Sequence, residues 1–302
     1  MLQELKAFVA VVDEKSLTRA ASRLFLTQSA ISRRIQQLED RLGAPVLDRA
    51  SRPPTPTPLG SRIYEQAVAV LRDVDQLLCL PKEDATPSGT LRLGVSHAIG
   101  DSIAAAAVKH LKAEFPQLDV RLRTAWGPAL SERAVAGELD AAVMLLPASA
   151  TPNPLLVGRP LAPLPMAVVQ SRDAPRIATP VPIASLASED WILNPLGCGY
   201  RAELARAMGC DDDGLRIVVD THGTELQLRM VADGLGLGLV PRSLIMTSAS
   251  RAALSIVDLV DFTLTLDIWL VHRGRLGNLR RPVDAVGRLV TDRFAAMETA
   301  AP

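Results

Sequence analysis

The chain has 302 residues and carries equal numbers of basic and acidic residues, a length that favours two or three folded units over one. Its three cysteines, Cys79, Cys198 and Cys210, lack the spacing of a zinc site and are too few for a disulfide framework, which suits a reducing cytoplasm. No apolar run reaches the roughly 20 residues of a membrane span, and Glu4, Lys6 and Asp13 interrupt the first apolar stretch, so neither a signal peptide nor a membrane partner is expected.

Charge is unevenly spread. Residues 15 to 52 hold eight basic side chains (Lys15, Arg19, Arg23, Arg33, Arg34, Arg41, Arg49 and Arg52) against three acids, Glu39, Asp40 and Asp48. A basic N-terminus on a neutral chain is the footprint of a small DNA-binding module. Leu2, Leu5, Phe8, Val9 and Val12 recur at helical spacing and predict a first helix. Thr18 is placed to cap a second helix over Arg19 to Leu24, in which Ala20 and Ala21 permit close approach. Thr27 is placed to cap a third helix, with Ile31, Ile35, Leu38 and Leu42 as its buried stripe and Gly43 as its end. The opposite face of that helix presents Gln28, Ser29, Ser32, Arg33 and Gln36, types that hydrogen-bond base edges. Periodicity alone fits a helix-turn-helix and a plain three-helix bundle with a solvated face about equally.

The ordered run Ser16-Leu17-Thr18-Arg19-Ala20-Ala21-Ser22-Arg23-Leu24, followed by Thr27-Gln28-Ser29-Ala30-Ile31-Ser32-Arg33-Arg34-Ile35-Gln36-Gln37-Leu38-Glu39, resembles the signature of LysR-type regulators almost position for position. The match continues through Leu42-Gly43, Leu47 and Arg49. The resemblance implies a winged helix-turn-helix over 1–58 in which Gln28, Ser29, Ser32 and Arg33 read the major groove, while Thr18 and Arg34 hold phosphates. It implies further DNA contacts from Arg49 and Arg52 of the wing, together with promoter DNA carrying an interrupted dyad, a homodimer or homotetramer, RNA polymerase as a partner, and a small-molecule co-inducer in place of a bound cofactor. The wing departs from the pattern: Leu47 stands where Phe is usual, and Pro53, Pro54, Pro56 and Pro58 argue against a regular hairpin.

A helix over 59–80 follows. Ile63, Ala67, Val70, Val74 and Leu77 alternate at four and three residues, while Tyr64, Leu71 and Leu78 repeat at seven. Such a short heptad pattern fits a coiled-coil seam or a helix lying on its own domain; the resemblance favours the seam. The Pro-containing polar stretch 81–89 reads as a hinge.

Residues 90–302 alternate predicted strands and helices: strands at Leu91 to Val95, Val120 to Thr124, Ala141 to Leu146, Met166 to Val169, Trp191 to Asn194, Arg216 to Val219, Leu237 to Val240 and Leu266 to His272. Asp101 and Thr224 are expected helix caps, and Pro282 is expected to open the last helix. Repeated βα units predict an α/β domain with a parallel sheet. The resemblance makes this a two-lobed effector domain like a periplasmic binding protein, one lobe from 90–160 and 267–302 and the other from 161–266. Strand ends nominate Ser96 and His97, Gly127, Asn194 to Gly199 with Gly197 at its centre, and Thr221-His222 as effector contacts. The helix N-termini favour a small polar or anionic metabolite. Bulky Trp126 beside the bare Gly127 suits an apolar or aromatic one.

Gly234-Leu235-Gly236-Leu237-Gly238 matches neither nucleotide-binding glycine pattern, and no catalytic motif is present, so the chain reads as a binder without turnover. Two other readings stay open. A solute-binding protein would account for 90–302 but not for the N-terminal signature. A cysteine-based redox sensor would use Cys198 and Cys210, which bracket one predicted helix, as peroxide-sensing members of the family carry a pair in a similar region.

Overall fold

The computed structural model describes residues 1–48, 51, 53–79, 86–195, 198–211 and 214–299. Its contacts divide the chain into two compact units, residues 1–82 and 83–302.

The first unit opens with α1 (Leu2–Glu14), which buries Ala7, Phe8, Ala10 and Val11. This face is rotated from the expected one: Leu2 is exposed, while Leu5 and Val12 flank the core. Ser16, not Thr18, caps α2 (Leu17–Arg23), its hydroxyl accepting from the Arg19 N–H at 3.3 Å. Thr18 lies inside the first turn and faces solvent. The small side chains Ala20 and Ala21 are buried, letting α1 and the next helix close on α2. Thr27 caps α3 (Gln28–Leu42) by accepting from the Ala30 N–H at 3.2 Å, and Gly43 ends it at φ 71°, a left-handed conformation that glycine adopts without strain. Ile31, Ile35 and Leu38 are buried as expected, whereas Leu42 is exposed. The last turn of α3 is anchored instead by Glu39, which is buried and accepts backbone N–H bonds from Val46 at 2.9 Å and Leu47 at 3.4 Å.

That contact fixes where the wing begins. Strands β1 (Leu47–Asp48) and β2 (Thr55–Pro56) pair antiparallel over two residues each, a ladder as short as the proline density implies. Leu47, in place of the usual Phe, is buried. Helix α4 (Pro58–Cys79) starts against the same segment: the Thr57 hydroxyl donates to the Pro45 carbonyl at 3.0 Å and accepts from the Gly60 N–H at 2.9 Å. Tyr64 donates its hydroxyl to Asp13 of α1 at 2.5 Å, and Ala67 and Leu71 are buried. The heptad pattern therefore divides. Ile63 and Tyr64 pack on the core of the helix's own unit and Ala67 and Leu71 are buried, while Val70 and Leu77 stay 44% and 63% exposed.

In the second unit, β3 (Gly89–Ser96), α5 (His97–Glu114), β4 (Leu118–Ala125), α6 (Gly127–Ala136) and β5 (Ala141–Pro147) form consecutive βα units. β6 (Val157–Ser171) then runs for 15 residues. There follow β7 (Trp191–Leu193), α7 (Gly199–Ala207), β8 (Ile217–Asp220), α8 (Thr224–Ala232), β9 (Leu237–Pro241), α9 (Arg242–Thr247), β10 (Leu254–Ile256), β11 (Thr265–His272) and α10 (Arg280–Thr299). The strand order is β4-β3-β5-β11-β6-β9-β7-β8, with β10 on β6.

The sheet is mixed, which corrects the parallel expectation. β3 pairs parallel with β4 and β5, and β7 with β8 and β9, but β11 runs antiparallel to β5 and β6, and β6 antiparallel to β9 and β10. β6 carries the chain out of the first parallel group in the direction of β5 and so runs against the second, and β11 brings it back and so runs against the first. Pro160, Pro163 and Pro165 interrupt the strand pattern in the first half of β6, so periodicity indicated only its second half. Three local expectations also change. Asp101 sits within α5, which starts at His97; α10 starts at Arg280, ahead of Pro282; and Gly223, at φ 96°, caps α8 in place of Thr224. The Thr224 hydroxyl donates instead to the Ala98 carbonyl of α5 at 2.8 Å.

Gly60 supports a direct test. A Cβ there would come 2.0 Å from the Val46 carbonyl oxygen, a backbone atom that cannot swing aside. Gly60→Ala is expected to destabilise the N-terminal unit by about 1–3 kcal/mol in denaturant unfolding, and an unchanged midpoint would show that α4 shifts freely.

Candidate functional site

On the first unit, the exposed face of α3 presents Gln28, Ser29, Ser32 and Arg33. The Arg33 side chain makes no hydrogen bond or ion pair with any described residue. Its basic neighbours differ: Arg23 pairs with Asp13 at 2.9 Å and Glu14 at 3.3 Å, and Arg19 with Glu14 at 3.9 Å. Arg34 is half-buried and donates to Gln3 of α1 at 3.2 Å, so it ties α3 to α1 as well as carrying charge. Ser29 shares a 3.0 Å hydrogen bond with the Thr27 cap. Thr18 is exposed on α2, beside the turn where Phe25, at φ 55°, is 96% exposed. Arg49 and Arg52 lie outside the described residues.

On the second unit, a cavity of about 300 Å³ opens where strands end and helices begin. Ser96 closes β3, and Trp126 and Gly127 start α6. Met144 to Pro147 end β5, and the loop at Thr151 to Asn153 covers one side. Cys198 and Tyr200, at the start of α7, and Leu266 of β11 complete the wall. Beside it, three rings meet across the two parallel groups. His97 lies 4.9 Å from Trp126 and 5.5 Å from His222, and Trp126 lies 5.8 Å from His222. With the Thr224 to Ala98 bond, these rings join the first turn of α5 to the entry of α8.

Of the expected contacts, Ser96 and Gly127 line the cavity and His97 and His222 meet beside it. Asn194 is fully buried and reaches the wall indirectly, its amide donating to the Tyr200 hydroxyl while its own Oδ1 has no partner among the described residues. Thr221 is buried, its hydroxyl has no partner among the described residues, and it does not line the cavity. Gly197 lies outside the described residues. Sequence reasoning missed Tyr200, the β5 end and the Thr151 to Asn153 loop. Their spacing carries no motif, and only the strand order brings them to this edge. It also missed Arg201, buried with its guanidinium on the Asn194 carbonyl at 3.2 Å and on Asp220 at 2.8 Å.

Burial pushes the Cys198 thiol up to about 12, and burial followed by Cys198 raises the Tyr200 phenol well above its ordinary value. Cys198 is thus a protonated thiol at neutral pH and a poor nucleophile, and both it and Cys210 are free. Burial thus argues against Cys198 as the reactive thiol of the redox reading. Burial also lowers the His97 imidazole below its ordinary value, with His222 adding to the effect and Asp101 opposing it.

Comparison with known proteins decides the family. Residues 2–61 match the model of the bacterial regulatory helix-turn-helix protein, lysR family, and residues 84–295 match the LysR substrate binding domain. The chain belongs to the LysR family. This LysR-family chain is a DNA-binding transcription regulator with a small-molecule effector domain. It is 27% identical over 279 residues to the nitrogen assimilation regulatory protein nac of Klebsiella aerogenes, covering 91% of this chain and 90% of that protein. To the HTH-type transcriptional regulator BenM of Acinetobacter baylyi it is 35% identical over 140 residues, 46% of each chain. A full-length cysteine-to-aspartate variant of OxyR from Pseudomonas aeruginosa shares its fold, with a TM-score of 0.74 at 22% identity over 96% of this chain and 94% of that one. No helix among the described residues of this LysR-family regulator is long and apolar enough to cross a membrane.

The depressed His97 pKa gives a pH dependence with a defined sign. Unfolded, this histidine takes up a proton as pH falls through about 6.5; folded, it resists protonation to lower pH. Acidification below about 6.5 therefore favours the unfolded state. The thermal midpoint of the wild type is expected to fall between pH 7.5 and 5.5 by more than that of His97→Gln, and parallel slopes would show that His97 is equally basic in both states.

Proposed function

We propose that the chain acts in the cytoplasm as a dimer on an interrupted dyad, with α3 of each subunit in the major groove and an effector in the interlobe cavity setting promoter output. The observation that carries the DNA assignment is the contrast on the basic N-terminus: Arg19 and Arg23 are held by Asp13 and Glu14, while Arg33 stands unengaged among the described residues. A guanidinium unengaged by the described residues, on the exposed side of α3 that also carries Gln28 and Ser32, suits bidentate reading of guanine, with glutamine suited to adenine. Thr18, on the neighbouring helix, suits a phosphate, and so does Arg34, whose bond to Gln3 fixes its direction. Arg49 and Arg52 are assigned to the flanking backbone or minor groove on the family resemblance. Ser96 and the helix starts around the cavity are assigned to the effector.

The exposed Val70 and Leu77, one heptad apart on α4, support a seam between subunits. Half-buried Val74 falls between them at helical spacing.

With genomic fragments recovered by affinity capture as targets, Arg33→Ala is expected to lose about 1–3 kcal/mol of discrimination per subunit, while the fold and the dimer persist. Thr18→Ala should weaken specific and random DNA alike. A gel-shift competition in which Arg33→Ala still prefers its target over random DNA rejects the base-reading role.

For assembly, Val70→Asp combined with Val74→Asp is expected to yield a monomer on sizing, with target affinity sharply reduced because buried charges would face one another across the seam. A double variant that remains dimeric moves the interface elsewhere.

A further inference from the structure

We propose that the cavity between Ser96, Trp126 and Tyr200 selects an uncharged aromatic compound of one or two rings, stacked on Trp126 and oriented by neutral hydrogen-bond donors. The inference deepens, and rests on, the assignment of this cavity to the effector.

Its first support is the absence of formal charge: among the described residues no Arg, Lys, His, Asp or Glu lines the wall. The two ionisable lining groups, Cys198 and Tyr200, are both driven toward their protonated, neutral forms by burial. The nearby buried cation is already engaged, since Arg201 holds Asp220 and the Asn194 carbonyl. His97, beside the wall, is biased toward neutral imidazole. An ionised ligand would lose water without gaining a counter-charge, a cost that helix N-termini offset only in part.

The second support is the character of the surface. Met144, Leu146, Pro147 and Leu266 supply apolar wall, and the His97 and His222 rings hold Trp126 at a set tilt. A pre-oriented indole favours an aromatic partner over a saturated one of equal size. The Ser96, Ser131 and Thr151 hydroxyls can bond a ligand carbonyl or hydroxyl without fixing a charge. A volume near 300 Å³ is at the small end of ligand cavities and limits the ring count.

The test uses the full chain with four probes: benzamide, benzoate, benzamidine and cyclohexanecarboxamide, the first three matched in ring and differing in charge. Calorimetry is expected to show benzamide binding, with benzoate and benzamidine weaker by on the order of tenfold and the saturated amide also weaker. Benzamide should change tryptophan fluorescence, and Trp126→Phe should abolish that change. Ser131→Arg adds a cation at a half-buried helical position and is expected to shift preference to benzoate. Benzoate binding as tightly as benzamide in the wild type, an equal affinity for the saturated amide, or no binding of any probe would each overturn the proposal. The two readings separate cleanly. Benzamide that binds but leaves the complex with captured promoter fragments unchanged sinks the effector assignment and supports the ligand class. A benzoate preference that alters the DNA complex does the reverse.

Discussion

Parallel pairing is the constraint on which the effector domain depends. Because β3 pairs parallel with both β4 and β5, their carboxyl ends lie on one edge, and each must be followed by a connection that carries the chain back. Ser96, the Trp126-Gly127 pair and the Met144 to Pro147 segment, about 50 residues apart in sequence at the extremes, are therefore neighbours. The second parallel group brings Asn194, Thr221 and the start of α7 to its own carboxyl edge in the same way. The crossing strands β6 and β11 join the two groups, so the edges face each other across a common opening.

Specific polar and ring contacts span that opening. One neutral hydrogen bond, Thr224 to Ala98, and three rings at 4.9 to 5.8 Å join the α5 and α8 entries. A net hydrogen bond contributes only about 0.5–1.5 kcal/mol and a ring pair about as much, so a ligand touching both sides can compete with these contacts energetically. Three buried side-chain oxygens of the second group, Asn194 Oδ1, Thr221 Oγ1 and Gln227 Oε1, lack partners among the described residues.

In the N-terminal unit the corresponding economy lies in Glu39. One buried carboxylate accepts from two backbone N–H groups and so couples the end of α3 to the first strand of the wing. The same segment receives Thr57 and Gly60 at the start of α4. Helix α3, the wing and α4 consequently share one junction, with the exposed polar face of α3 left free of it.

The amino-acid sequence by itself determined the family, most of the helices and strands but not α9 or β10, and the identity of the α3 face. These depend on local spacing: caps, periodicities and a contiguous signature that reads the same whatever surrounds it. Within the elements, the Thr27 cap, the Gly43 end and the Ile31, Ile35 and Leu38 stripe stand as local chemistry dictates. The tertiary structure alone decided which of several competent residues is used. Ser16 takes the cap that Thr18 could have taken, Glu39 replaces Leu42 as the buried anchor, and Thr224 bonds another helix instead of its own. It also decided that the sheet is mixed, because pairing direction is a long-range choice that proline-interrupted strands such as β6 do not signal. Above all it decided the cavity wall. Trp126, Leu146, Tyr200 and Leu266 share no spacing, and only strand order makes them one surface whose lack of charge can be seen.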